Sequence, residues 1–202
     1  MSPIIHSPLL DKAGEYISNL FIEKLPKDLL FHNFQHTLSV VRGVNEFILN
    51  LNISNQDGEV LLLAAWFHDS GHVLAYSGHE QYSKGFAKDF LQKEKYPTEL
   101  LERVLGCIHA TAMPQNPTNE WEKMLCDADM YHLSRSGYFF LQKMLRAEWE
   151  VVLKKVYTDE EWNESNLKFL KTHSYHTDYG QTVFKKRKEV NIRKFEWLVE
   201  RS

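Results

Sequence analysis

Apolar residues recur at intervals of three and four along most of the chain. Leu9, Leu10, Ala13, Ile17, Leu20, Phe21 and Leu25 trace one face of a helix that Pro26 closes. A second helix is predicted from Phe34 to Leu51, with Val40, Val41, Val44, Phe47, Ile48 and Leu51 on its apolar face. The polar turn after it, rich in Asn, leads to a third segment from Asp57, read as its N-cap, to Gly71. This segment is apolar all round from Val60 to Phe67, and its Leu-Leu-Leu-Ala-Ala core favours a helix at the centre of a bundle. Gly71–Gly78 reads as a loop. Helices then follow over His79–Lys95, Glu99–Ala112, Glu120–His132, Gly137–Tyr157, Asp159–His173 (capped by Thr158 or Asp159) and Tyr179–Glu200. Met113–Asn119, with two prolines and two asparagines, is a loop. No alternating strand pattern, repeat or low-complexity linker interrupts the series. The expectation is an all-α, single-domain helical bundle spanning residues 1–202.

Composition narrows the function classes. The 202 residues are 43% hydrophobic and 25% charged, enough for a packed core. The longest apolar run, Val60–Phe67, falls far short of the ~20 residues of a membrane helix, so no membrane partner is expected. The N-terminus lacks a basic stretch followed by an apolar one, and a cytoplasmic location is the default expectation. Cys107 and Cys126 form neither a CxxC pattern nor a disulfide framework and read as small buried residues. Residues 180–202 carry seven basic and three acidic side chains, while the net charge of the whole is −3. Such a run on an amphipathic helix reads as a solvated face, and nucleic acid is not an expected partner. The five tryptophans sit at helical spacing and read as packing residues. Arg146 and Glu148 on one apolar helix suggest an ion pair.

Histidine changes the picture, because ten in this length is about twice the usual share. His36 lies four and eight residues before Val40 and Val44, so it projects from the apolar face of its helix. His68 ends the most buried segment and is followed at once by Asp69. A buried carboxylate beside an imidazole needs a partner, and a divalent cation supplies one. Asp127 and Asp129 lie inside a later apolar helix; two positions apart is about 200°, so only one of them can face a site shared with the histidines.

These residues resemble the HD-domain superfamily of metal-dependent phosphohydrolases, whose signature is a His, then a His-Asp pair, then an Asp on successive helices. Phe31-His32-Asn33-Phe34-Gln35-His36 resembles the Tyr-His-Asn-x-x-His motif of cyclic-nucleotide phosphodiesterases, with Phe in place of Tyr. His68-Asp69-Ser70-Gly71-His72 resembles the HDxGH segment. Gly78-His79-Glu80 with Ser83, Ile108-His109-Ala110-Thr111 and Asp127-Ala128-Asp129 resemble a bacterial subgroup of phosphohydrolases. The motifs cover roughly residues 30–135, the expected metal-binding core, with helices of 137–202 packing on it.

The resemblance implies His36, His68, Asp69 and Asp127 as metal ligands, selecting Asp127 over Asp129. It implies one or two divalent ions (Mn, Fe, Zn, Ni or Mg), with His72, His79 and His109 as candidates for a second ion or for phosphate. His32 matches the family's general acid, Asp69 joins it as a catalytic residue, and Glu80 is placed to orient a neighbouring histidine. His132, His173 and His176 carry no motif. The implied activity is hydrolysis of a phosphomonoester or phosphodiester, with a nucleotide as the expected small-molecule substrate. A ligand-sensing domain without turnover and a di-iron oxygenase are the alternatives.

Overall fold

A computed structural model describes residues 5–201 of the chain, and among them every regular element is helical. Nine α-helices are present among the described residues: α1 Pro8–Lys24, α2 Phe34–Asn50, α3 Asn55–Phe67, α4 His79–Lys93, α5 Thr98–Ala110, α6 Glu120–Asp129, α7 Tyr138–Val152, α8 Asp159–Thr172 and α9 Lys185–Val199. None of the described helices is long and apolar enough to cross a membrane.

The chain forms two compact units. One holds the chain up to Pro26 and His32–Asp129, hence α1 to α6; the other holds Lys27–Phe31 and the chain from Met130 onward, hence α7 to α9. In the first unit α3 is the central helix and packs against α1, α2, α4, α5 and α6. Its uniformly apolar surface accounts for this position: Val60 to Ala65 and Phe67 are all buried. The second unit is built on a core of Leu133, Tyr138, Leu170 and Phe195.

Capping sets the helix ends and corrects several expectations. α3 begins two residues earlier than Asp57, because Ser54 is its N-cap: Ser54 Oγ accepts the Asp57 N–H at 3.1 Å and donates to the Asp57 carboxylate at 2.7 Å. The helix also stops at Phe67 instead of running to Gly71, and a 3-10 turn, Ser70–Val73, follows. α6 likewise gives way to a 3-10 turn at Met130–Ser134. α7 ends at Val152, five residues short of Tyr157, where Lys154 adopts a left-handed φ of 57° and Trp149's carbonyl accepts from both Leu153 and Lys155. Thr158 closes a capping box with Glu161 and starts α8. A π-helical turn, Gly180–Phe184, precedes α9.

Two side-chain expectations also change. Trp197 is exposed, not a packing residue, whereas Trp162 is buried. Arg146 pairs with Glu150 at 3.3 Å and Asp159 at 2.6 Å, not with Glu148. Glu148 is fully buried and accepts the Phe31 N–H at 2.8 Å, tying α7 to the segment that precedes it in this unit.

Candidate metal centre

The Asn of the Phe31–His36 motif has a structural task. Asn33 is the N-cap of α2, and its Oδ1 accepts the N–H groups of Gln35 at 2.8 Å and His36 at 3.3 Å. His36 therefore stands in the first turn of α2, buried, with Nε2 turned towards the end of α3. His68 is the C-cap of α3 and fully buried. Its Nδ1 lies 2.8 Å from the carbonyl of Ala65, which places the proton on Nδ1 and leaves Nε2 as an electron-pair donor. Asp69 follows with φ −102° and ψ 4°, outside the helix, so its carboxylate turns back towards both histidines.

Three atoms then converge. His36 Nε2 and His68 Nε2 are 3.4 Å apart, and Asp69 Oδ2 lies 3.4 Å from the first and 3.3 Å from the second. Nitrogen and oxygen ligands of a tetrahedral ion, at about 2.1 Å each, would stand about 3.4 Å apart. Asp69 Oδ2 is buried and has no hydrogen-bond partner. A buried carboxylate oxygen facing two imidazole nitrogens without a hydrogen bond is an arrangement that a cation completes. The donor set therefore fits a divalent metal.

The fourth ligand candidate is the acid that the resemblance had passed over. Asp129, the last residue of α6, brings Oδ1 to 3.1 Å from His36 Nε2 and 3.7 Å from His68 Nε2. Asp127 is buried two positions earlier, about 200° around the same helix, so the expectation that Asp127 rather than Asp129 meets the histidines is corrected by the geometry. Gln115, which the sequence pattern did not single out, supports Asp129: its Nε2 lies 3.3 Å from Asp129 Oδ2 and 3.5 Å from the Cys126 carbonyl. A lone amide in a proline-rich loop carries no periodic or motif signal.

Asp69 uses its other oxygen on a second group of histidines. Oδ1 lies 3.1 Å from His79 Nε2 and 3.9 Å from His72 Nε2. His72 and His79 stack at 3.7 Å, His32 lies 4.6 Å from His72, and ligand atoms of His32, Asp69 and His72 fall within 4.8 Å of one another. His79 Nδ1 faces the Tyr76 carbonyl at 3.3 Å, repeating the arrangement of His68. Glu80 stands 3.8 Å from His79 Nε2, beyond hydrogen-bond reach but close enough to act through charge. His109 is exposed on α5 and makes no hydrogen bond, ion pair or ring contact with the described residues of the cluster.

The electrostatics follow from this crowding. Burial alone would lower the pKa of His68, but the charge of Asp69, with Asp129 behind it, pushes it up to about 9. His79 is raised against its burial by Asp69 and Glu80. Burial would raise Asp69, yet His68 and His79 hold it well below the usual carboxylate range; Asp129 is lowered by His36 and His68. The carboxylates of buried Asp69 and half-buried Asp129 thus draw positive charge onto the imidazoles, and a divalent cation supplies that charge while leaving them neutral.

Comparison with known families agrees in extent with the residues just described. A family model described as HD domain matches residues 33–134, a span that holds His36, His68, Asp69, His72, His79 and Asp129. No curated protein matches the chain.

Proposed function

Since the chain belongs to the HD-domain family, a superfamily of metal-dependent phosphohydrolases, we propose that it hydrolyses a phosphomonoester or phosphodiester, with a nucleotide as the expected substrate class. The observation that carries this reading is the convergence of His36, His68 and Asp69 on one point, with the buried Asp69 Oδ2 lacking a hydrogen bond. His36, His68, Asp69 and Asp129 are the residues that would hold the ion. When bound, a divalent cation lowers the pKa of water towards neutrality and offsets negative charge on the phosphoryl oxygens.

The remaining steps fall to side chains of this unit. The Nδ1 contacts of His68 and His79 to backbone carbonyls hold both rings in one tautomer and orientation. Asp69 joins the two histidine groups, one oxygen to each. His72 stands beside that carboxylate, where its ring meets a phosphate oxygen, and His79, held by Asp69 and the Tyr76 carbonyl, orients the carboxylate. His32 delivers the proton that the leaving oxygen requires; it stands four residues before His36, ahead of the Asn33 cap, and beside His72.

The test is metal analysis of protein purified without added metal, coupled to a screen of mono-, di- and cyclic nucleotides and a generic aryl phosphodiester. Turnover that is lost in Asp69→Ala, with helicity retained, is the expected result. A folded, metal-loaded protein inert towards every phosphate ester would overturn the proposal and leave ligand sensing in its place.

A further inference from the structure

The second unit carries a surface that phosphate ester hydrolysis does not use. Between α7 and α9 runs a groove of about 620 Å³ lined by Phe139, Phe140, Val190, Arg193, Lys194 and Trp197. Phe140 is 71% exposed, Trp197 54% and Val190 45%, so two aromatic rings and a branched aliphatic side chain meet water on adjacent helices. The floor is firm, because Phe139 packs on the buried cluster of Leu133, Tyr138, Leu170 and Phe195. A contiguous exposed apolar patch with polar edges marks an interaction surface more often than a solvated face.

Its rim has one sign of charge. Lys186, Val190, Arg193, Lys194, Trp197 and Arg201 are spaced by three, four and seven, which puts them on one face of α9 and its C-terminal extension. The acids of the same segment, Glu189, Glu196 and Glu200, lie about 70–110° from the centre of that face, and Glu196 is engaged by Lys171 at 2.7 Å. Lys143 of α7 sits 4.6 Å over the Phe139 ring and Arg201 sits 4.4 Å over Trp197, so cations frame the apolar floor at both edges. Among the described residues, none of Lys143, Lys186, Arg193, Lys194 and Arg201 makes an ion pair.

The occupant must therefore bring apolar side chains for the floor and carboxylates for the rim. A flat lipid surface leaves a concave floor unfilled. A single-stranded nucleic acid meets the cations and the Phe140 and Trp197 rings, but it leaves Val190 and the Phe139 floor without an apolar partner. An amphipathic helix laid in a groove supplies both features, with apolar anchors at i, i+3 or i+4, and i+7 and acids on either side. We propose that the α7/α9 groove docks an acidic amphipathic helix of a partner protein.

The test uses the full chain and a fluorescein-labelled peptide of about four helical turns, with Leu and Phe at anchor spacing and Glu at most other positions. Controls are the same composition scrambled to abolish the apolar face, an oligothymidylate, and vesicles of equal parts phosphatidylcholine and phosphatidylserine. The amphipathic peptide is expected to bind and gain helicity. Its affinity should fall with salt, and by about tenfold or more in Phe140→Ser/Trp197→Ser and in Arg193→Glu/Lys194→Glu. Both variants should keep native circular dichroism and wild-type metal content. Equal binding of the scrambled peptide, indifference to the variants, tighter capture of the oligonucleotide or vesicles, or a self-association that the variants dissolve would each overturn the proposal.

Discussion

Gly71 lies so close to the start of α4 that a Cβ on it would stand 1.9 Å from the carbonyl oxygen of His79 and 2.8 Å from the backbone nitrogen of Ser83. Its own N–H donates to Ser83 Oγ at 2.8 Å. The turn after His68 and Asp69 is thereby clamped onto the helix that carries His79, and Gly78, at φ 69°, allows the chain to enter that helix from a left-handed conformation. This close approach brings His79 to Asp69. Gly71→Ala should destabilise the protein by about 2–4 kcal/mol in denaturant titration and lower its metal content. A variant of native stability and full metal loading would show that the approach is not required.

Asp129 and Asp127 make opposite predictions. Asp129→Asn removes a negative charge 3.1 Å from His36 Nε2 and should weaken divalent metal binding by at least about tenfold, seen as lower metal content after dialysis. Asp127→Asn, on the other side of α6, should leave metal stoichiometry unchanged. The reverse result would restore the ligand set that the family resemblance suggested.

Much of this was legible in the sequence because it depends on local pattern. The uniformly apolar Val60–Phe67 run marked the central helix, and the order of His36, His68 and Asp69 marked the cluster. What periodicity could not decide was which of two acids at i and i+2 faces inward, because Asp129 stands at the very end of α6, where the helix gives way to a 3-10 turn. Nor could it show that Asn33 is a cap, since capping is a hydrogen bond and not a spacing. Gln115 and Glu148 act through contacts with residues 14 and 117 positions away, which local pattern does not encode.

His32 can be separated from the metal ligands by the choice of leaving group. If it protonates the leaving oxygen, His32→Gln should lower kcat for an alkyl ester by about 10²–10⁴ while metal content stays unchanged. The same variant should be much less impaired on p-nitrophenyl phosphate esters, whose phenolate leaves without a proton. Equal losses on both substrates would assign His32 to binding instead.

Lys188 gives the stability a pH dependence of predictable sign. It is buried, donates from Nζ to the His173 carbonyl at 2.6 Å and lies 5.5 Å over the Tyr175 ring. Burial, with some help from Lys185, pushes its pKa down from 10.5 to about 8. Below pH 8 the ammonium is protonated whether the chain is folded or not, and the cost of burying it is fully present. Between about pH 8 and 10.5 the folded form releases its proton first, so the unfolded chain binds more protons and stability rises with pH. Chemical denaturation at pH 7.5 and 9.5 should show a smaller increase, or a larger decrease, in Lys188→Met than in the wild type; identical pH responses would remove Lys188 as the source.

The two thiols should be silent in the native protein. Cys107 is almost wholly buried, and burial, aided by the charge of Glu122, pushes its pKa up to about 12. Cys126 is fully buried and raised in the same direction, and its Sγ donates to the Ala110 carbonyl at 3.2 Å. Because the thiolate is the reactive form, neither sulfur has both the ionisation and the access that disulfide exchange needs. Titration with an aromatic disulfide reagent should detect no reactive thiol at neutral pH and both in guanidinium chloride. A thiol reacting within the native baseline would mean that the α5 and α6 segments carrying these cysteines open locally, with free-energy cost below that of global unfolding.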